Sequence, residues 1–296
     1  MKLAMIQMNS QPDRAHNLAQ AVRLMEQAVQ QAHPDLIVLP EHFDWSGGTP
    51  EQKLLAADDL PGGEAYRTIS AFAAKHQIWV HAGSMLERVP GDTKIYNTTV
   101  IFDGFGKEVG RYRKIHLFDI TTPSGRRYGE SETVLPGSNL LVYTLGGLRI
   151  GCAICYDLRF SNLFWELARR EVDVMILPAA FTSETGRDHW EVLCRARAIE
   201  FQTYFVACGQ WGAYPSADGT ERSCFGNSLV CDPWGRVIAR APEGVGYTTA
   251  DLQSEAIERA RKLIPMAAHR KRLSSCSACQ RIEPSFPMKH QTENAV

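Results

Sequence analysis

The stretch Leu148-Arg149-Ile150-Gly151-Cys152-Ala153-Ile154-Cys155-Tyr156-Asp157-Leu158-Arg159-Phe160 decides how this chain of 296 residues is read. Its apolar run predicts a buried strand that ends in a thiol and turns through Tyr156 and Asp157 into a helix beginning near Phe160. A thiol at a strand-to-helix turn stands at the mouth of a sheet, beside backbone N–H groups that stabilise a thiolate or a developing oxyanion. Most free cysteines are inert core fillers, so Cys155 gains meaning only from partners elsewhere in the chain.

Working outward, residues 140–145 pair with this strand in a hairpin around Gly146-Gly147. A helix over 161–170 carries Leu163, Phe164, Leu167 and Ala168 as its apolar stripe. Val172-Asp173-Val174-Met175-Ile176-Leu177-Pro178 then reads as a strand buried on both sides, opening into a loop over 179–187. Asp35-Leu36-Ile37-Val38-Leu39-Pro40-Glu41 is a run of the same type, with a carboxylate just past its end. Glu41 is thus a candidate acid or base, although most loop-end glutamates are merely solvated.

The remaining pattern predicts a strand over 2–8, a helix over 15–32 behind a capping Asp13, a helix over 65–76 and a strand over 78–86. Residues 95–102 and 107–112 form a hairpin around Asp103-Gly104-Phe105-Gly106, so the sheet is mixed. Further on come a helix over 188–200, a strand over 204–209, a hairpin of 225–232 with 236–241, a strand over 247–252 and a helix over 254–264. Residues 42–63, 120–136 and 213–222 read as loops. The periodic pattern stops near Leu273, which leaves one α/β domain over 1–273 and a polar tail over 274–296.

Lys plus Arg is 32 against Asp plus Glu 33, which removes the basic excess expected of a partner for nucleic acid or an anionic membrane. A small-molecule partner fits better. Eight cysteines scattered through apolar segments, with no bilayer-spanning run and no leader pattern, point to a reduced cytoplasmic compartment. Cys152/Cys155 and Cys276/Cys279 are both C-x-x-C pairs, but residues three apart on a strand face opposite ways. The tail pair has no supporting shell, so no metal is expected.

In Arg111-Tyr112-Arg113-Lys114-Ile115-His116 alternation places Arg111 and Arg113 on one face and Tyr112, Lys114 and His116 on the other. A cation on the inward face needs a carboxylate partner, whereas a charged sheet margin would need none.

Pro40-Glu41, Arg113-Lys114-Ile115-His116 and the opening stretch through Phe160 resemble, in order and spacing, the three motifs of the nitrilase (carbon–nitrogen hydrolase) superfamily. The likeness runs to about Leu273 and includes Leu177-Pro178-Ala179-Ala180-Phe181, Arg195-Ala196-Arg197-Ala198-Ile199-Glu200 and Asp232-Pro233-Trp234-Gly235. It implies a four-layer αββα sandwich and a catalytic Glu41–Lys114–Cys155 triad, with Glu130 rather than Glu132 as a fourth, orienting glutamate. Amides are poor electrophiles, and a cysteine thiolate supplies a strong nucleophile near neutral pH. Glu41 would take the thiol proton and pass it to the departing amine, then activate water against the thioester. Lys114 and a backbone N–H near Tyr156 would face the oxyanion.

The resemblance is nearest to the amidases of 2-oxo acid amides, through Lys114-Ile115-His116-Leu117-Phe118-Asp119 and the run at residues 186–190. Arg195 to Glu200 and Gly209-Gln210 lean toward the branch acting on deaminated glutathione; the ω-amidase branch, acting on 2-oxoglutaramate, shares most of these residues and stays open. Tyr156 and Phe181 are substrate-side candidates, as are Arg126 and Arg127, whose loop could meet a substrate carboxylate or simply face solvent. The reaction needs water and no cofactor. Family members pair into homodimers or larger assemblies. A non-catalytic binding protein of the same fold is the alternative of another class, and it would leave Cys155 unreactive.

Overall fold

The computed structural model describes residues 1–271, so the predicted tail and its Cys276/Cys279 pair lie outside the described residues. The first half supplies five of the six strands of one sheet. Its elements begin with β1 (Lys2–Gln7), α1 (Arg14–Ala32), β2 (Leu36–Val38), α2 (Pro50–Leu55) and α3 (Glu64–His76), followed by β3 (Trp79–Arg88), β4 (Ile95–Phe102) and β5 (Glu108–Arg113). A small hairpin follows, β6 (Asp119–Thr121) with β7 (Arg127–Gly129), and a 3-10 turn at Glu130–Glu132.

The second half repeats the plan with β8 (Val142–Leu145), β9 (Leu148–Cys152), a 3-10 turn (Cys155–Arg159), α4 (Ser161–Ala168), β10 (Val174–Ala179), α5 (Ser183–Phe201) and β11 (Tyr204–Gly209). Then come β12 (Trp211–Pro215), β13 (Glu221–Phe225), β14 (Leu229–Cys231), β15 (Val237–Arg240), β16 (Gly246–Asp251), α6 (Ser254–Leu263) and α7 (Met266–His269). Strand order is β16-β1-β2-β3-β4-β5 in one sheet and β15-β14-β11-β10-β9-β8 in the other. Each sheet has a parallel centre, β1-β2-β3 and β9-β10-β11, flanked by antiparallel strands.

The layers follow from the two faces of each strand. Ala4, Ile6, Ile37, Val80 and Phe102 turn outward onto Leu18, Met25, Ile69 and Phe72 of α1 and α3. Leu3, Met5, Leu36, Val38 and Tyr112 turn inward and pack with Ile150, Cys152, Val174 and Ile176 of the other sheet, whose far side is covered by α4 and α5. The result is the four-layer αββα sandwich, with both central strand groups buried on two faces.

Several elements differ from the sequence reading, among them the β6–β7 hairpin, which falls almost wholly within residues 120–136 that read as loop. The strand through Cys155 stops at Cys152, because Asp157 draws the chain into a 3-10 turn by accepting from the Ile154 N–H at 2.9 Å. Helix α5 starts at Ser183, five residues before the predicted Asp188, since Thr182 caps it. Residues 213–222 are mostly hairpin rather than loop, and the small helix α2 interrupts residues 42–63. Its signal is in the sequence: Thr49 and Gln52 form a reciprocal capping box, with Pro50 in the first turn.

Candidate active site

The C-terminal ends of the central strands of both sheets meet at one cavity of about 450 Å³, within the usual range for small-molecule sites. Glu41 arrives from the end of β2. Gly83 lets β3 pass against that segment, since a Cβ there would collide with the Pro40 carbonyl oxygen. Lys114 follows β5, and Glu130 opens the 3-10 turn after β7.

These three charges form one hydrogen-bonded set. The Lys114 Nζ donates to Glu41 Oε1 at 2.9 Å and to Glu130 Oε2 at 2.8 Å, with Lys114 and Glu41 each only 2% exposed. Asn97, from inside β4, donates to Glu41 Oε1 at 2.9 Å and to Glu130 Oε1 at 3.3 Å. The backbone N–H of Ala180 donates to Glu41 Oε2 at 2.7 Å, and that of Phe118 to Glu130 Oε2 at 2.7 Å. Burial favours the neutral acid at Glu41, but Lys114, His42 and the Cys155 thiol outweigh it and hold its pKa down to about 2. Glu130 is lowered as well, burial again being opposed by Lys114. Burial opposes the Lys114 charge, yet Glu130 and Glu41 raise its pKa well above the ordinary lysine value.

Cys155 starts the 3-10 turn with φ +45°, a left-handed conformation that costs a non-glycine residue about 1–3 kcal/mol. Asp157 over-determines that elbow. Its Oδ2 accepts from the Ile154 N–H at 2.9 Å and from Tyr112 Oη at 2.7 Å, while Oδ1 accepts from the His116 N–H at 3.0 Å and lies 2.7 Å from His116 Nδ1. Tyr112 and His116 flank Lys114 on the inward face, so the same strand end carries the lysine and braces the cysteine. Burial and the Glu41 charge raise the Cys155 thiol well above its ordinary pKa, so the resting site pairs a neutral thiol with an ionised Glu41.

Cys152 lies on the opposite side of the strand end, packed in the core between the sheets, and burial raises its thiol as well. Arg111 and Arg113 leave the cavity altogether and converge on Glu87 at 3.2 and 2.6 Å.

Of the substrate-side candidates, Arg127 lines the cavity mouth, where it is mostly exposed and paired with Glu132 at 3.0 Å. Arg126, Tyr156 and Phe181 do not line it. Tyr156 stands behind the wall, edge-on to Phe118 at 5.1 Å, and Phe181 packs on Trp190, with Arg159 over its ring.

The reading from sequence missed Asn97, His42 and Asp157. Asn97 and the threonines after it are polar residues within the apolar strand Ile95–Phe102, a visible signal of a buried network. His42 lines the cavity with φ +58°, its Nε2 3.8 Å from Glu41 Oε1, and burial holds its pKa down to about 4, so it is neutral at pH 7. Glu41, His42 and Glu130 could together present metal ligands, but the Lys114 ammonium already takes both carboxylates.

Comparison with known proteins assigns the family. The family model described as carbon-nitrogen hydrolase matches residues 2–262, and the chain belongs to that family. More particularly, it is 36% identical over 270 residues to the deaminated glutathione amidase of Synechocystis sp., covering 90% of this chain and 97% of that one. It is 35% identical over 276 residues to the omega-amidase NIT3 of Saccharomyces cerevisiae, covering 92% and 93%. The crystal structure of the C. elegans NitFhit protein superposes with a TM-score of 0.83 at 33% identity, covering 91% of this chain and 65% of that longer one.

Proposed function

We propose that this chain is a thiol amidase that hydrolyses the amide C–N bond of a small 2-oxo acid amide. The observation that carries the reading is the convergence of Glu41, Lys114, Glu130 and Cys155 on one cavity. As Cys155 Sγ attacks the carbonyl carbon, its proton moves to the Glu41 carboxylate, and the electron pair of the carbonyl moves onto oxygen. The high thiol pKa and low Glu41 pKa disfavour a free thiolate, so proton transfer accompanies attack and the charge passes to the oxyanion. Lys114 faces that charge, together with N–H groups at the start of the 3-10 turn. The tetrahedral centre collapses by breaking C–N, with Glu41 returning its proton to the leaving amine. Water then gives a proton to Glu41 and attacks the thioester, and the thiol is restored.

Deaminated glutathione is the substrate favoured by the relatives of that name, and 2-oxoglutaramate is the second reading, favoured by the yeast relative. Wild-type protein should release 2-oxoglutarate from one of them, and Cys155→Ser should lower turnover by about 10³-fold or more with its unfolding transition kept. Full turnover in that variant, or selective labelling of other thiols with Cys155 spared, would sink the mechanism.

Residues 1–273 act in this reading as the hydrolase domain, followed by a polar tail. The buried, unpaired thiols among the described residues suit a reducing cytoplasm, and no described helix is long and apolar enough to cross a membrane. The exposed apolar side chains Val192 and Ile199 of α5, with Trp234 and Ile238 of the adjoining hairpin, support a homo-oligomer formed through that face, which gel filtration would test.

A further inference from the structure

The cavity carries a cation that the catalytic steps do not use. Lys53, on α2, lines the same cavity as Cys155 and Glu130. Among the described residues its ammonium has neither a carboxylate within salt-bridge distance nor a hydrogen-bond partner, whereas the other cations on the wall are engaged. Lys114 is held by two glutamates, Arg127 by Glu132, and Arg222 stacks over Tyr128 at 4.3 Å with Asp218 at 3.7 Å.

Charge balance points the same way. Glu41 and Glu130 against Lys114 leave one negative charge at the reacting centre, and His42 is neutral. An anionic substrate entering such a site is repelled unless the wall supplies positive charge. Lys53 supplies it, and its helix is tied to the facing wall: the Gly48 N–H donates to the Pro215 carbonyl at 3.1 Å, which joins the start of α2 to the β12–β13 hairpin. Gly47 makes this approach possible, since a Cβ there would collide with the Pro215 carbonyl oxygen. The capping box of α2, with Thr49 N–H to Gln52 at 2.8 Å and Gln52 N–H to Thr49 at 3.2 Å, fixes the helix that presents Lys53.

We propose that Lys53 is the anchor for the carboxylate on the acyl fragment of the substrate. The inference rests on the amidase reading above and deepens it, because both candidate substrates share an acyl fragment that ends in a carboxylate. Burial lowers the Lys53 pKa while Glu130 opposes that shift, which describes a desolvated ammonium that gains from an anionic partner.

Two measurements test it. The first compares KM for glutaramate, whose acyl fragment ends in a carboxylate, with KM for uncharged butanamide, in wild-type protein, Lys53→Gln and Lys53→Arg. In Lys53→Gln the KM for glutaramate should rise about 10- to 100-fold, at least tenfold more than that for butanamide, and Lys53→Arg should recover most of the loss. Equal factors for both amides would mean that Lys53 acts only on the charge of Glu130, which overturns the proposal. The second measurement titrates glutarate calorimetrically into wild-type protein and Lys53→Gln. Weaker binding by tenfold or more in the variant supports the subsite even if the amides are not turned over, and unchanged binding, or none to wild type, overturns it.

Discussion

The inner and outer parts of the one cavity are built on opposite principles. Glu41, Lys114 and Glu130 sit at strand ends locked into two sheets, and their charges are closed by contacts of 2.8–2.9 Å away from water. The outer wall comes from α2, the β6–β7 hairpin and the β12–β13 hairpin, short elements with exposed ion pairs such as Arg127–Glu132. The first arrangement cannot be altered without disturbing the fold. The second can change its side chains freely, so the chemistry is fixed by the sandwich and the choice of substrate is left to the wall.

The contrast breaks most visibly at the inner set. Lys114→Met would leave two buried carboxylates without their cation and should destabilise the protein by about 3–5 kcal/mol, read as a lower urea midpoint. A wild-type midpoint in that variant would show that the set contributes nothing to the fold.

A smaller effect is the pH dependence that Glu41 confers. Its folded pKa of about 2 lies below the ordinary 4.5, so the unfolded chain binds the proton more readily. The stability contributed by this depressed carboxyl is full above pH 4.5 and is lost as pH falls from 4.5 toward 2. Glu41→Gln should therefore flatten the slope of stability against pH in that window, measured as urea midpoints at pH 5, 4 and 3, and an unchanged slope would contradict the assignment. Least of all should follow from Arg127→Ala at the mouth, where an exposed pair is worth less than about 0.5 kcal/mol and the thermal midpoint should stay within a degree or two. A large loss there would erase the distinction between the two parts.

The same division explains what could be read from the amino-acid order. The strands at residues 35–41 and 172–178 announce themselves because both faces are buried and the run is continuously apolar. Alternation separated Lys114 from its neighbours but left a charged sheet margin open, and only the motif resemblance picked it out; in the fold Arg111 and Arg113 turn to Glu87 while Tyr112, Lys114 and His116 turn inward. The two hairpins of the outer wall were not legible as structure. Strands of three to five residues, such as Asp119–Thr121 and Glu221–Phe225, lack a complete alternating pattern, and half of their side chains face water. Asp157 escaped for another reason: its role is set by Tyr112 and His116, more than forty residues away, and spacing does not reveal it.

One consequence concerns how the molecule comes to life after synthesis. The Glu41 carboxylate is bonded to the Ala180 N–H across 139 residues of chain, and Tyr112 of one sheet grips Asp157 at the elbow of the other. Neither half of the chain holds a working centre, and contacts so distant in sequence form late and slowly. A chain released from denaturant should therefore regain its helical and strand signals first, with catalytic competence arriving only when the two halves dock.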